Sequence, residues 1–561
     1  MNLHFTHKEK IDKGWSGDLK YRVTDEVGKD YLLRIYPNSD VEKKKLEYDK
    51  MLEVSELGVP MCIPLEFGTC VEGPYSIQSW IDGEDAEQAI PLLPETQQYC
   101  YGLDAGKALQ KIHSIPAPAD QPDWEERFNR KMDYKIQKYL GCPIKYEGGE
   151  AFIEYIRANR HLLKDRPQCF QHGDYHIGNM MIDRAGMLQI IDFNRYDFGD
   201  PWEEFNRIVW CAQASPWFAT GLVDGYFDGQ VPEEFWRLLA LYISSNCLSS
   251  IYWAVPFGQE EVDTMVKQGA EVLQWYDHMK NPIPSWYQRE FYLEYLDGIA
   301  FRMKQSFDFS FLQKYGKVFK VFDEQDSGNI CFGVEKDGQR YFIKFAGAPA
   351  VYGDEDSIAA VERLKATVPV YQDLKHKNLI EYVFSKEIGG GFAMVFRWTD
   401  ARCMGRMYPN ARKRFLELSL AEREDVFREI MEFMTYTASK GYLAVDFYDG
   451  SIMYDFEQKK TIICDIDFFR KLPTQNDMGR MWGSSLFMAP EEYEFGAVLD
   501  EVTNVYTMGA MAFALFSDFD RSAAAWPLSK ASYQVVTKAT DLNRNKRQQT
   551  ILEFMEAWKA T

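Results

Sequence analysis

QHGDYHIGNMMIDRAGMLQIIDFNRYDFGDP, residues 171–201, is the stretch on which the reading of this chain turns. Asp174 is followed five residues on by Asn179, and a second aspartate, Asp192, stands 18 residues after the first. Between them lie an apolar run, a turn at Asp183–Gly186 and a second apolar run. That pattern predicts a β-hairpin with polar groups at its edges. Phosphoryl transfer from ATP uses such a set. One carboxylate orients the attacking hydroxyl and accepts its proton, while an amide oxygen and a second carboxylate hold Mg2+ against the phosphates. Oxygen-only groups suit that hard cation. Asp and Asn are also common turn caps, but as caps alone the whole ordered set would be coincidence.

The stretch resembles the aminoglycoside phosphotransferase family, whose pattern is H-G-D-x-x-x-x-N, then I-D-[FW] and G-D-P. His172-Gly173-Asp174, Asn179, Ile191-Asp192-Phe193 and Gly199-Asp200-Pro201 carry the likeness, which covers residues ~1–290. It implies that Asp174 is the catalytic base and that Asn179 and Asp192 are metal ligands. ATP and Mg2+ are then the cofactors, and the acceptor is a hydroxyl of a small molecule. The likeness leaves the substrate open, because relatives phosphorylate many small alcohols.

Upstream, GWSGDLKYRVTDEVGKDYLLRI (14–35) reads as strand, turn, strand with apolar residues at every second position. Gly14, Ser16 and Gly17 form a short loop whose backbone N–H groups could approach phosphate oxygens. On the following strand, Arg34 stands where kinase folds place a cation for the α- and β-phosphates, held by a helix carboxylate. Arginine suits that role by its permanent charge and two-pronged geometry. Glu42, Glu47 and Glu53 share the next predicted helix, and Glu47 matches the family pattern as the partner of Arg34. YSIQSWIDGED (75–85) reads as the hinge between lobes, with Trp80 either core or adenine contact. Past the G-D-P motif, Trp202, Glu203, Glu204, Trp210, Trp217 and, later, Glu260, Glu261 and Glu271 mix aromatics with acids. That mixture fits either helical core faces or a pocket for a cationic, sugar-like acceptor.

The chain of 561 residues fits two domains. A hydrophobic share of 46% and aromatics at 15% indicate a folded globular protein. The net charge of −21 argues against a nucleic-acid partner, because neutralising phosphates needs basic surface. Ten cysteines without a C-x-x-C pair predict reduced thiols in a cytoplasmic protein. MNLHFTHKEKIDKGW lacks an apolar signal region, and LLALYISSNCLSSIYWAVPF (238–257) reads as a buried helix, not a membrane span.

The second half repeats the plan. DSGNICFGVEKDGQRYFIKF (326–345) offers a glycine loop with Gly328 and a strand lysine, Lys344. YLAVDFYDGSIMYDFEQKKTIICDIDFF (442–469) repeats the catalytic hairpin with Asp446, Ser451 and Asp467. Together with LKHKNLIEYV (374–383), GFAMVFRWTD (391–400), Ala489-Pro490-Glu491 and Arg547, these segments resemble bacterial serine/threonine protein kinases over residues 313–561. The resemblance implies Asp446 as base, Lys344 on the phosphates, Ser451 and Asp467 at the metal, a Glu491–Arg547 pair and a protein as substrate. Departures accompany it: Ser451 replaces an asparagine, Ala444-Val445 a His-Arg pair, and Asn504 an aspartate. Glu362 is the nearest helix glutamate for Lys344, while Thr367 holds the expected register.

These readings predict an α+β chain of two tandem bilobal protein-kinase-like domains, 1–290 and 313–561, joined by a helical linker at 291–312. The expected function is ATP/Mg2+-dependent phosphotransfer by the first half to a hydroxyl of a small molecule, an aminoglycoside-like cation or a metabolite. The second half is then weakly active or regulatory. The alternative is a nucleotide-binding scaffold without turnover.

Overall fold

The computed structural model describes residues 4–12, 17–325, 327–353 and 356–561. The chain divides into two compact units, Met1–Glu290 and Phe291–Thr561.

The first unit opens with an antiparallel five-stranded sheet built from Phe5–Ile11, Leu19–Asp25, Asp30–Ile35, Gly73–Ser79 and Pro64–Cys70, in that spatial order. Tyr31, Leu33 and Ile35 alternate along the third strand and are buried with Val23 and Ile77 on one face. The two-residue period therefore turns Arg34 to the opposite face, opposite Lys20 on one neighbour strand and Ser76 on the other. Helix Val41–Glu56, capped by Asp40 at the Lys43 amide, follows the third strand.

Beyond the sheet the unit is mainly helical. Helix Glu95–Ile112 crosses helix Pro216–Tyr226 so closely that a Cβ at Gly102 or Gly221 would meet backbone of the facing helix. The helical stretch Glu233–Phe257 is long and apolar enough to cross a membrane, but 67% of its apolar window is buried inside the structure. Residues 171–201 fold as the alternation predicts: strands Met180–Asp183 and Leu188–Ile190 pair antiparallel. Asp183 closes their turn by accepting the Ala185 and Met187 amides, each at 2.9 Å.

The second unit has its own five-stranded sheet with the same order of strands: Lys317–Phe322, Ile330–Lys336, Gln339–Ala346, Gly391–Arg397 and Tyr382–Ile388. Helix Ser357–Asp373 follows the third strand, and a second hairpin pairs Ile452–Asp455 with Lys460–Ile463. Helix Glu501–Ser517 is buried along almost its whole length. Arg547 grips Glu491 with both ends of its guanidinium, at 2.8 and 3.1 Å.

One expectation fails here. Residues 291–312 are not a helical linker: Tyr292–Leu296 and Ile299–Met303 form a hairpin. The turn is Asp297-Gly298, both at positive φ (50° and 88°), the dipeptide favoured by a two-residue hairpin turn. Asp297 also accepts the Val318 amide at 2.7 Å, fastening the hairpin to the first strand of the second sheet. The second unit thus begins at Phe291, not at 313. All ten cysteines are free thiols, six of them buried.

Candidate active site

Strand Cys169–Gln171 pairs with Asp197–Gly199, so the segments carrying Asp174 and Asp192 run from one short ladder. Gly173 has a φ of 82°, and a Cβ there would run into the Arg195 carbonyl. Glycine is required at that point. His172 is fully buried. Its Nε2 donates to the Ile191 carbonyl at 3.0 Å, and its Nδ1 accepts the Asp174 amide at 3.3 Å. One neutral imidazole therefore joins the residue before Asp192 to Asp174 itself. Glu204 accepts the Gly173 amide with both oxygens, at 3.0 and 3.2 Å. Asp200 is a buried hub, bound by Arg166 at 2.7 and 3.0 Å and by the Tyr242 hydroxyl at 2.5 Å.

Asn179 donates its side-chain N–H to the Asp174 carbonyl at 2.8 Å. That bond turns the amide so that its oxygen is the end left to accept a cation. Asp192 sits in left-handed backbone at φ 69°, with its side chain 28% exposed. The two residues supply neutral and anionic oxygen donors, and this fits a Mg2+ ion.

Arg34 lies across from them. Its Nη1 donates to Asp192 Oδ1 and its Nη2 to Asp18 Oδ2, both at 2.7 Å. Glu47, expected as its partner, is instead bound by Lys44 at 2.6 Å. The two terminal nitrogens of the guanidinium already meet carboxylates, so the helix acid is not needed to hold it. Burial opposes the Arg34 charge, but Tyr36, Asp192 and Asp18 together raise its pKa above the ordinary arginine value. Burial likewise pushes the Asp192 carboxyl up, and Arg34 outweighs it with help from Lys20, so the net shift is downward. Asp18 and Lys20 were missed by sequence reasoning. Lys20 is signalled only by its pairing with Arg34 across the sheet.

Of the loop residues, Gly17 has open space where a Cβ would stand, while Gly14 and Ser16 lie outside the described residues. Trp80 packs under Arg22, 5.1 Å from guanidinium carbon to ring centre. The aromatic and acidic residues past the G-D-P motif do not gather into one pocket. Trp202 packs on Phe227 and Phe235, Glu204 serves Gly173, and Glu271 accepts from Gln213 at 2.5 Å.

Asp174 itself is flanked by cations. Arg195 Nη1 is 3.3 Å from Oδ2 and Arg207 Nε is 3.3 Å from Oδ1. His176 Nε2 is 3.8 Å from Oδ1, and burial pushes that imidazole down to about 4 against the pull of Asp174. It is neutral at physiological pH.

In the second unit the hairpin register relocates one residue. Ile191 donates its amide to the Asn179 carbonyl, and Cys464 donates its amide to the Ser451 carbonyl. Ile190 and Ile463 make matching parallel bridges to Met61 and Leu379. Asp465 therefore holds the place of Asp192, and like it has positive φ, at 52°. Asp467, matched by its Ile-Asp-Phe letters, lies two residues too late. Lys344 Nζ reaches both, Asp467 Oδ2 at 2.6 Å and Asp465 Oδ1 at 2.9 Å. The Asp467 side chain is 9% exposed and that of Asp465 48%. Neither Glu362, paired with Lys365 at 3.3 Å, nor Thr367, whose hydroxyl donates to Leu364, meets Lys344.

Ser451 holds the place of Asn179, but it is fully buried and its hydroxyl accepts the Tyr448 amide at 3.5 Å. It is turned into its own loop, and the expectation that it binds metal does not fit that burial. Asp449 is held by Arg412 at 2.7 Å. Asn504 spans the strand before Asp446, accepting the Ala444 amide at 2.9 Å and donating to the Ala444 carbonyl at 2.7 Å. An amide can do both; a carboxylate could not. Gly328 adopts φ 73° in its loop.

Comparison with known proteins gives three findings. Residues 8–237 match the phosphotransferase enzyme family APH. The dual specificity protein kinase zak2 of Dictyostelium discoideum is 20% identical over 219 residues, 35% of this chain and 34% of that protein. The chain thus aligns with about a third of that curated relative's length. A choline/ethanolamine kinase family protein from Mesorhizobium loti has a solved structure 16% identical to this chain, covering 50% of this chain and 92% of its own, with a TM-score of 0.38. Residues 8–237 are thus similar to the phosphotransferase enzyme family.

Proposed function

We propose that the first unit transfers the γ-phosphate of ATP to a hydroxyl group of a small molecule. The observation that carries this reading is the coupling of Asp174 to its neighbours: His172 holds its amide and Asn179 its carbonyl. A base fixed at both ends of its backbone is pre-organised for an incoming hydroxyl. Asp174 takes the hydroxyl proton as the acceptor oxygen bonds to the γ-phosphorus. The bond from that phosphorus to the β,γ-bridging oxygen breaks, and ADP leaves with its electron pair. Asn179 and Asp192 would hold Mg2+, whose charge neutralises the phosphates when bound. Arg34 keeps Asp192 ionised and in place, and Asp18 fixes the far side of that guanidinium. Turnover of ATP by the full chain, with Asp174→Asn as comparison, tests the reading. An unchanged rate in the variant overturns it.

For the second unit, a nucleotide-binding, protein-kinase-like module with slow or no transfer is the better-supported reading. Lys344 and Asp465 provide a cation for phosphates and an exposed carboxylate for metal. With Ser451 buried and Asp449 held by Arg412, neither offers a second oxygen to that metal. A protein substrate or control over the first unit are the two roles this leaves. A cytoplasmic location accords with ten free thiols. Magnesium-dependent nucleotide binding without autophosphorylation, measured on the Asp174→Asn chain, is the expected result.

A further inference from the structure

The geometry points to an acceptor that carries an oxyanion: a small alcohol bearing a carboxylate or phosphate group, gripped by Arg195 and Arg207. The inference rests on Asp174 as the base and deepens that reading, because it concerns the charge of the molecule whose hydroxyl Asp174 meets. Arg195 reaches Asp174 Oδ2 with one Nη, and Arg207 reaches Oδ1 with Nε, both at 3.3 Å. Each guanidinium carries five N–H donors in a fixed fork, so most of those donors remain to face other groups. Arg195 has its side chain 55% exposed and Arg207 29%, so both are reachable from solvent at the mouth of the site.

Lys135 lies within electrostatic reach of Arg207. Lys131 and Lys135 stand one helical turn apart on helix Trp124–Gly141, on one face of it. Lys131 is 3.5 Å from Glu203, the acid that also accepts from Gln171 at 3.2 Å. Burial pushes Lys135 down to about 7, and Lys131 and Arg207 add to that shift while Glu203 opposes it. Lys131 and Arg207 thus disfavour a further positive charge at Lys135, and Glu203 works against them. An incoming ammonium would meet two guanidiniums beside the base. An incoming carboxylate or phosphate would meet their free donors in two-pronged geometry. Of the acids past the G-D-P motif, Glu204 and Glu271 are engaged by Gly173 and Gln213.

The test uses the full chain with its nucleotide pockets filled by a non-hydrolysable ATP analogue and Mg2+. Inorganic phosphate and tetramethylammonium serve as minimal probes of the two charges, followed by calorimetry. Phosphate is expected to bind, with at least a tenfold loss in Arg207→Gln and in Arg195→Gln, while tetramethylammonium does not bind. Retained affinity for the nucleotide analogue shows each variant to be folded. Binding of tetramethylammonium, absence of phosphate binding, or phosphate binding unchanged in both variants would each overturn the inference. Phosphate binding with no Mg2+-dependent ATP turnover would uphold the oxyanion site and sink the phosphotransfer reading instead.

Discussion

Tyr371 donates its hydroxyl to Asp467 Oδ1 at 2.9 Å, and through that carboxylate the helix Ser357–Asp373 is tied to Lys344. The same hydroxyl accepts the Ile466 amide at 3.2 Å, so it fixes the turn that carries both Asp465 and Asp467. A glutamate on the helix would usually clamp the strand lysine. Here an aspartate from the turn takes that position and the helix contributes only a phenol.

The two aspartates should therefore separate by experiment. Asp465→Asn should remove most of the Mg2+ dependence of nucleotide binding by the second unit. Asp467→Asn should leave that dependence in place but loosen Lys344, lowering nucleotide affinity and the melting temperature. Removing one partner of a buried pair costs about 3–5 kcal/mol. Titration of nucleotide at several Mg2+ concentrations, on the Asp174→Asn background, reads both effects. Reversed assignments would place the metal at Asp467.

In the first unit, Asp174→Asn should slow phosphoryl transfer by about 10²–10⁴-fold while nucleotide binding persists. The substitution keeps the side chain's size, and its backbone bonds to His172 and Asn179 do not involve the carboxylate. A rate within about tenfold of wild type, a change of about 1.4 kcal/mol, would show that another group takes the proton.

Much of this site was legible because its parts are local. Asp174, Asn179 and the turn at Asp183–Gly186 lie within 13 residues, and turn chemistry with alternation suffices to place them. Partners chosen across the sheet were not legible. Arg34 meets Asp18 and Asp192 because register sets Arg34 opposite Lys20 on the face away from Tyr31, Leu33 and Ile35, and no spacing in the chain encodes that. Asp467 misled because its letters repeat Ile-Asp-Phe, while the hydrogen bond from Cys464 to Ser451 decides the match in favour of Asp465. The hairpin at 292–303 is readable in Asp297-Gly298, a two-residue turn signal between two short apolar-rich runs.

Ser451→Asn should not restore a metal ligand. Ser451 is fully buried, so the larger amide must displace its neighbours. Overpacking of that kind costs about 1–3 kcal/mol. The expected outcome is a lower melting temperature for the second unit with no gain in autophosphorylation. A gain in rate would show that the loop can open to bring the amide to the metal.

Glu492 gives the second unit a pH dependence. Burial pushes its carboxyl up to about 7, with Glu491 and Asp446 adding to the shift and the Ala489 amide working against it. In the folded state the group keeps its proton to higher pH than in the unfolded chain. Its stabilising contribution is therefore complete below the unfolded value near 4.5, and is lost as pH rises through about 7. Glu492→Gln keeps an oxygen for the Ala489 amide, which Glu492 now accepts at 2.6 Å, but never ionises. The variant should gain melting temperature over wild type at pH 8 and lose that advantage by pH 5. An equal difference at both would mean that Glu492 does not titrate in this range.

Arg34 offers the sharpest test of how the first site is held. It is 4% exposed and joins Asp18 to Asp192 through separate nitrogens. Lysine has one compact ammonium and cannot span two carboxylates with the same geometry. Arg34→Lys should keep the contact with Asp192, free Asp18, and cost nucleotide affinity more than stability. Arg34→Met removes the charge and leaves two carboxylates facing each other, at a cost of about 3–5 kcal/mol. The sign of its pH effect follows from Asp192. Arg34 holds that carboxyl below its ordinary value, so its stabilising effect is present above the unfolded aspartate range and fades as pH falls through the lowered folded value. In Arg34→Met that depression goes, and Mg2+-nucleotide binding should fail at a higher pH than in wild type. Binding curves taken from pH 4 to 8 decide the matter: coincident curves for wild type and Arg34→Met would mean that Arg34 does not set the ionisation of Asp192.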